Sequence, residues 1–488
     1  MSLYQHQILR APAGMAPSTD PGALPENHAQ YLRGFLPGRH SVARPSLIPR
    51  RFNVPNPASS TEDIQFICPY ASPVDIVNDP QDGLVMVSAD TLYFLKFDLI
   101  KDYVGSEWSE ILKTTRTTVG GAGSFPITGD LRPQAVQYED ELLFFQESYD
   151  VNQGIIRKRF YIDDSGTGNL YTWGVSTATV PTVAVNGVGL TGTYVYKTLN
   201  VDEKGREGSP SPTASIALTN QGVRVTVGGA APATSTGITQ WRVYRQNPGG
   251  TAYYRVATVT FPTLTYDDTA TDASIIGNAL APEPGQNDPP GGILAAAVWK
   301  GRVAVMDESA PYRVRLSNYG SPTQFSSVSD WSDPTLGSDY RVSYDSSSSV
   351  RALANHGSVL GIFTDDAYFE MYGDDLSNFV VRPVAQGVGT ISPGSVVNAQ
   401  GSVLFLGKDG PYSLTAGGQA SPFAEEMRAT IRGLCDVGAV KVGKTPTPYD
   451  VRFSTRQARA CLHESRYYLS FGDRTYVYDL ETGGWSDT

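Results

Sequence analysis

The sequence predicts an all-β protein: an irregular β-propeller with an inserted immunoglobulin/fibronectin III-like β-sandwich and an extended N-terminal arm. Three observations lead there. Short apolar runs cut by Gly and Asp turns recur along the chain, as in Ser349 to Asp374, SVRALANHGSVLGIFTDDAYFEMYGD. Such runs mark up-and-down β-meanders, and a lone meander cannot bury both of its faces. The pattern returns in AAVWKGRVAVMDES, VVNAQGSVLFLGKDGPYSL and ACLHESRYYLSFGDRTYVY, with first turns at Gly301, Gly357, Gly401 and Ser465, spaced 56, 44 and 64 residues apart. Roughly 40–50 residues per four-stranded unit is the period of propeller blades, and the drift implies inserted loops. The third observation is a change of character between Thr177 and Pro284. That stretch is rich in Thr, Val, Gly and Ala and carries some seven short strands, the spacing of a β-sandwich.

Composition agrees. The 488 residues include 49 Gly, 33 Pro and 27 Tyr with only 18% charged residues, which suits a turn-rich β protein of several domains. Cys68, Cys435 and Cys461 form no CxxC pair, so a disulfide framework is not expected and a reducing folding compartment is. No run of eighteen apolar residues and no signal-peptide core occurs, so neither a membrane span nor classical secretion is expected. The net charge of −11 argues against general nucleic-acid affinity. It is unevenly spread. Residues 1–52 hold Arg10, Arg33, Arg39, Arg44, Arg50 and Arg51 against Asp20 and Glu26, a net of +4 that leaves −15 on the rest. A basic arm ahead of an acidic body suits docking to an acidic neighbour as well as it suits a solvated terminus.

In chain order, residues 1–61 read as the extended arm, held open by the Arg44-Pro45 and Pro49-Arg50 steps. Residues 62–176 supply the first part of the propeller, with strands near Ile64–Cys68, Leu84–Val87, Leu92–Phe97, Ala135–Tyr138, Leu142–Gln146, Arg157–Ile162 and Leu170–Trp173. A long Gly-rich loop is expected over Thr114–Arg132. The sandwich occupies 177–286, with Trp241 as its core aromatic. Residues 287–488 return to the propeller, with one helix near 422–435. There Ser421 is placed as N-cap, Pro422 in the first turn, and Phe423, Met427, Ile431 and Leu434 on one face. Ring closure is expected to pair Tyr476–Leu480 near Ile64–Cys68.

Nothing in the sequence points to catalysis, and no enzyme, cofactor or metal site is expected. Five histidines stand singly at 6, 28, 40, 356 and 463, without HExxH or HxH spacing, and His356 and His463 read as surface or packing residues. There is no GxSxG elbow. The acidic pairs Asp163-Asp164, Asp267-Asp268, Asp365-Asp366 and Asp374-Asp375 read as turn chemistry, although Asp267, Asp268 and Asp272 could also ligate calcium. The Gly-Gly-Ala-Gly of 120–123 lacks the Lys-Ser/Thr of a phosphate loop.

The basic arm, the irregular blades and the stretch from Trp241 to Phe325 together resemble a known family. WRVYRQNPGGTAYYRVATV, TYDDT, GNALAPEPGQNDPPGG, AVWKGRVAVMDES and RLSNYGSPTQFS follow one another there. In that order they are similar to the tail nozzle (tail hub, or tail tubular protein B-like) proteins of short-tailed bacteriophages. The chain is shorter than many of these. The resemblance implies a structural virion protein, made in the host cytoplasm and residing in the phage tail. It would form a homohexameric ring below the portal and head-tail adaptor, carry tail fibres or spikes, and lengthen the channel through which viral DNA is retained and ejected without specific binding. Arg33, Arg39, Arg44, Arg50 and Arg51 are the docking residues this reading selects. Another tail or connector component (a stopper or fibre-attachment hub) and a carbohydrate-binding or carbohydrate-cleaving propeller are the alternatives. The acidic pairs needed for the latter are not identifiable by pattern.

Overall fold

The computed structural model describes residues 64–73, 83–88, 91–104, 107–120, 132–147, 156–284, 287, 292–307, 310–325, 337–342, 349–390, 392–399, 401–415, 418, 420–423, 458–463, 465–471, 474–481 and 483–487, together with the backbone at 14–15, 28–29, 35–36 and 44–45. They form a β-propeller of six four-stranded antiparallel sheets, each a plain meander, with a five-stranded unit between the second and third. Blade 1 holds β1 Ile64–Tyr70, β2 Gly83–Ser88, β3 Thr91–Val104 and β4 Glu107–Gly120. Blade 2 holds β5 Arg132–Tyr138, β6 Glu141–Glu147, β7 Lys158–Ile162 and β8 Gly168–Thr172. The insert comprises β9 Thr179–Asp202, β10 Ala214–Gly228, β11 Ile238–Gln246, β12 Tyr253–Thr260 and β13 Thr265–Asp268. Blade 3 holds β14 Ile293–Trp299, β15 Arg302–Asp307, β16 Arg313–Leu316 and β17 Ser338–Arg341.

Blade 4 follows with β18 Val350–His356, β19 Val359–Thr364, β20 Ala367–Tyr372 and β21 Val380–Gln386. Blade 5 has β22 Val397–Ala399, β23 Ser402–Gly407, β24 Gly410–Thr415 and β25 Ala420–Pro422. Blade 6 has β26 Arg459–His463, β27 Arg466–Phe471, β28 Arg474–Asp479 and β29 Trp485–Asp487. The first strands β1, β5, β14, β18, β22 and β26 pack against one another in succession.

The apolar runs of the second strands follow from this stacking. In a blade packed on both faces, alternate residues feed two different cores, so the strand reads as continuously hydrophobic. On β6, Leu142 and Phe144 join the core between blades 1 and 2, while Leu143 and Phe145 join the one between blades 2 and 3. On β15, Val303 and Val305 face blade 2 and Ala304 and Met306 face blade 4. On β19, Leu360 and Ile362 pack toward blade 3 and Phe363 toward blade 5. On β23, Val403 and Phe405 serve blade 4, and Leu404 and Leu406 serve blade 6. One register slip would exchange the two sets.

The turns that define the period occupy one structural position, the hairpin between a blade's first and second strands. Gly301, Gly357 and Gly401 have φ of 68°, 62° and 95°, and Ser465 and Glu139 hold the equivalent places in blades 6 and 2 at 63° and 50°. Left-handed backbone at the tight turn explains why Gly was the visible marker.

The insert is a sandwich built from bent strands. β9 and β10 shift register at Val185/Leu190 and Leu190/Gly192. These bulges divide the pair, so that Thr182–Val185 pairs with Val223–Thr226 and then with β13, while β9 from Val195 pairs with β11 and then β12. Its core of Tyr194, Tyr196, Val223, Val225, Val243 and Trp241 is closed, with Trp241 at 0% exposure. The bends are why seven expected strands appear as five longer ones.

Three expectations are corrected. β4 runs to Gly120, so the expected 114–132 loop begins as strand: Thr114, Thr115, Thr117 and Thr118 are β-branched and complete a ladder with β3. Ser421 and Pro422 end strand β25 instead of capping a helix, because Tyr412 and Ser413 pair with them. Phe423 packs on Tyr467, Tyr478 and Trp485 of blade 6, and residues 424–435 lie outside the described residues. Among the described residues the expected pairing of Tyr476–Leu480 with Ile64–Cys68 does not form, and both strands pair within their own blades. β28 pairs with β27 and β29, and β1 pairs with β2. A local four-stranded meander satisfies these backbones without a shared blade.

Candidate functional site: a buried ion cluster between blade 2 and the insert

Two turns meet at the junction. From the propeller comes the Glu139-Asp140-Glu141 hairpin of blade 2. From the insert comes the β9 turn Asp202-Glu203-Lys204-Gly205-Arg206-Glu207. The Asp202 carboxylate shapes the second turn by accepting from the backbone N–H groups of Lys204 (3.1 Å) and Arg206 (2.8 Å), and Gly205 takes φ of 79°. These contacts set the loop so that its charges point back at the blade.

At the centre lies Arg159 on β7, with a fully buried side chain. It donates to Glu141 at 2.7 Å, to Glu203 at 2.9 Å, to Asp202 at 3.2 Å and to the Thr172 carbonyl at 3.2 Å. Arg206 doubles the clamp, donating to both Glu141 oxygens (2.8 and 3.0 Å) and to Asp202 at 2.8 Å. Lys204 reaches Asp140 at 2.6 Å and sits 4.4 Å from the Tyr161 ring centroid. The guanidiniums use their fixed fork to bridge carboxylates from both domains, which an ammonium could not do. Beside the clamp, Glu207 accepts from Tyr244 at 2.6 Å and pairs with Arg242, and its carbonyl accepts from Asn287 at 2.6 Å.

Two clefts flank this contact. One of about 520 Å³ is lined by Tyr138, Glu139, Lys204, Arg206, Glu207 and Arg242, and another of about 700 Å³ by Asp140, Tyr161, Asp163, Asp164 and Glu203. Burial pushes the Glu141 carboxyl up, and Arg206, Arg159 and Lys204 more than offset that, holding it at about 2. Burial likewise drives the Tyr161 hydroxyl upward, with Glu203 adding to it. Glu141 thus stays ionised and paired at neutral pH, and the ion pairs around it make the cluster a clamp fixing the sandwich against blade 2.

Acid should open it. A depressed folded-state value contributes stability that is present above the ordinary carboxylate value and lost as pH falls toward the folded one. A drop from 4.5 to about 2 corresponds to about 3 kcal/mol. The urea midpoint at low ionic strength is expected to fall steeply between pH 5 and pH 2, and Glu141→Gln should flatten that part of the profile. An unchanged slope in the variant would reject this assignment.

The insert closes over the clamp at Gly237, which has φ of 73°; an added Cβ would stand 2.6 Å from the Glu203 carboxylate and 2.8 Å from the Tyr171 ring. Gly237→Ala therefore combines left-handed strain with a clash inside the junction. A loss of about 1–3 kcal/mol in chemical denaturation is expected. Gly249→Ala, at φ of 74° with open space around it, should show the smaller backbone term alone.

Of the residues selected from the sequence, Arg33, Arg39, Arg50 and Arg51 lie outside the described residues. Arg44 is described only in its backbone, which pairs with Leu36. The acidic pairs serve as turns and ion pairs. Asp163 accepts from the N–H groups of Ser165 and Thr167, and Asp365 from Arg351. The calcium alternative fails because guanidiniums already occupy the carboxylates: Asp267 binds Arg224, and Asp268 and Asp272 share the buried Arg245. No group of His, Cys, Asp and Glu among the described residues is arranged for a metal. His356 is a buried packing residue, its Nε2 3.2 Å from the Gly401 carbonyl. Among the described residues no helix is long and apolar enough to cross a membrane.

The cluster itself was missed. Its signal was the density of charge in Asp202–Glu207, five ionisable residues of six in a chain that is 18% charged. The partners Glu141 and Arg159 stand alone in apolar strands and gave none.

No family model matches the chain, and no curated protein does. Among solved structures it is similar to Hsv2 of Kluyveromyces lactis, at 9% identity and a TM-score of 0.30, covering 88% of this chain and 98% of that one. It is also similar to the WD40 domain of Neurospora crassa Pan2, at 9% identity and a TM-score of 0.19, covering 75% and 91%. The propeller assignment itself rests on the six four-stranded sheets.

Proposed function

We propose that this chain is a structural virion protein: the nozzle, or hub, of a short phage tail, assembled as a ring that extends the DNA channel. One observation carries the reading. A propeller of uneven blades is interrupted between blades 2 and 3 by a sandwich clamped to it through buried ion pairs, and the sequence of residues 1–52 carries a net positive charge. A clamped insert offers a rigid second surface, and an arm of opposite charge to the body offers a contact to a neighbour. Those are the elements a head-to-tail cyclic assembly uses. An acidic body also favours DNA sliding past without phosphate contacts. In this reading the ring is homohexameric, meets a head-tail adaptor above, and carries fibres or spikes outside.

Negative-stain images and native mass of the purified chain, alone and with particles, test it. A ring of about six copies around an axial hole, or such a ring at the base of a capsid, supports the proposal. A monomer that never joins a particle rejects it and leaves the carbohydrate-binding alternative for a glycan screen. Replacing Arg33, Arg39, Arg44, Arg50 and Arg51 together by Ser is expected to weaken assembly without lowering the melting temperature. Unchanged assembly would remove these residues from the interface.

A further inference from the structure

The insert is neutral as a whole but not in how its charges are used. Residues 177–284 hold seven Lys and Arg against seven Asp and Glu, so the −15 outside the arm belongs to the chain on either side of the insert. Six of those carboxylates sit against guanidiniums: Asp202 and Glu203 at Arg159, Glu207 at Arg242, Asp267 at Arg224, and Asp268 and Asp272 at Arg245. The seventh, Glu283, is exposed. Lys204 and Arg206 are taken up by the clamp. Lys197 and Arg255 are left over, and among the described residues no carboxylate pairs with either.

The ladder sets these two cations in one row. Lys197 of β9 stands opposite Tyr244 of β11, and Tyr244 stands opposite Arg255 of β12. Residues directly opposite share a face, and two strand spacings put their Cα atoms roughly 10 Å apart. Salt screens repulsion over that distance, so the row is stable as it stands. Between them the Tyr244 ring is buried, and its hydroxyl is taken by Glu207. The Lys197 ammonium lies 4.2 Å from the Tyr253 ring centroid. That contact fixes the ammonium without cancelling its charge. Lys197, Tyr253 and Arg255 all keep part of their surface in solvent.

We propose that this face of the insert, centred on Lys197, Tyr253 and Arg255, is a docking surface for the acidic propeller of a second copy of the chain. The proposal rests on the ring reading and names the contact that would build the ring. Charge complementarity selects the occupant, because the unpaired cations lie on the neutral insert and the excess of carboxylates lies outside it. Two cations are too few for a nucleic acid, which needs a basic cluster and would meet the acidic propeller alongside. Two separate carboxylates on a protein surface match two cations held apart on a rigid sheet, with Tyr253 as the amphipathic contact between them. Insert against the next copy's propeller is a heterologous contact, which can repeat around a closed ring.

The test mixes isotope-labelled and unlabelled full-length chains and treats them with a carbodiimide, which joins an amine directly to a carboxylate. Lys197 should be found linked to an Asp or Glu of the propeller in peptide pairs with one labelled and one unlabelled member. In sedimentation, Lys197→Gln/Arg255→Gln should weaken assembly about tenfold or more, as expected when charges across an interface are removed, and the variant's assembly should come apart at lower salt. Arg224→Gln, on the other half of the sandwich, should assemble like the parent. The crosslink is read on the parent chain, so it reports the contact even where the double variant folds poorly. A ring that forms equally well in the double variant, or links of Lys197 only within one copy, would overturn this surface and leave the nozzle reading standing. A parent chain that stays monomeric would overturn both. Binding of a single-stranded oligonucleotide that is lost in the double variant while assembly persists would assign the face to nucleic acid and overturn the proposal.

Discussion

Arg159→Ala is expected to cost about 3–5 kcal/mol of unfolding free energy, the range for breaking a buried ion network from one side. The side chain is fully buried and touches Glu141, Glu203 and Asp202, so its removal strands three carboxylates, of which Glu141 and Asp202 are themselves 2% and 3% exposed. Arg206 offsets part of the loss, since it already bridges Glu141 and Asp202. Arg159→Lys should rescue little, because one ammonium cannot replace contacts to three separate groups and the Thr172 carbonyl. Urea unfolding of the three proteins at neutral pH decides it. A loss below about 1 kcal/mol for the alanine variant would show that water or Arg206 compensates the cluster fully.

The same cluster marks where sequence reading stops. Strands β2, β6, β15, β19 and β23 were legible because a strand buried on both faces is apolar at every position, whatever lies beside it. The hairpins were legible because left-handed turns select Gly at 301, 357 and 401. Both signals are local. Arg159 and Glu141, by contrast, sit on neighbouring strands of blade 2, and their partners Asp202, Glu203 and Arg206 belong to a turn of the insert. Only the approach of two domains makes the pairing, and no spacing along the chain encodes it. The same limit explains the misplaced cap at Ser421. Ser, Pro and two Glu satisfy the local rules for a helix start, yet the backbone at 420–422 finds a better partner in β24.

The second large effect is expected at Trp173, and it follows from how an insertion weakens a propeller. Blades 2 and 3 are consecutive in the ring but separated along the chain by the whole sandwich, so their contact must be held by packing. Trp173, the residue just after β8, is fully buried and closes this seam. Its ring packs with Tyr138, Leu143 and Phe145 from blade 2 and Ile293, Val303, Val305 and Phe325 from blade 3. Its indole N–H donates to the Pro322 carbonyl at 3.0 Å. Trp173→Ala removes the largest side chain of that core and leaves a buried carbonyl unsatisfied, so a loss of about 3–5 kcal/mol is expected. Trp241→Ala buries a similar deficit inside the insert, and there the damage should stay local, with the sandwich unfolding before the propeller. Two probes separate the cases: urea unfolding followed by near-ultraviolet circular dichroism, and limited proteolysis across 174–178 and 282–292. Trp173→Ala should expose those seams and lower the main transition, while Trp241→Ala should yield cleavage within 186–250 and spare it. If both variants lowered one shared transition by the same amount, the sandwich and the propeller would be a single cooperative unit, and the clamp at Arg159 would be the reason.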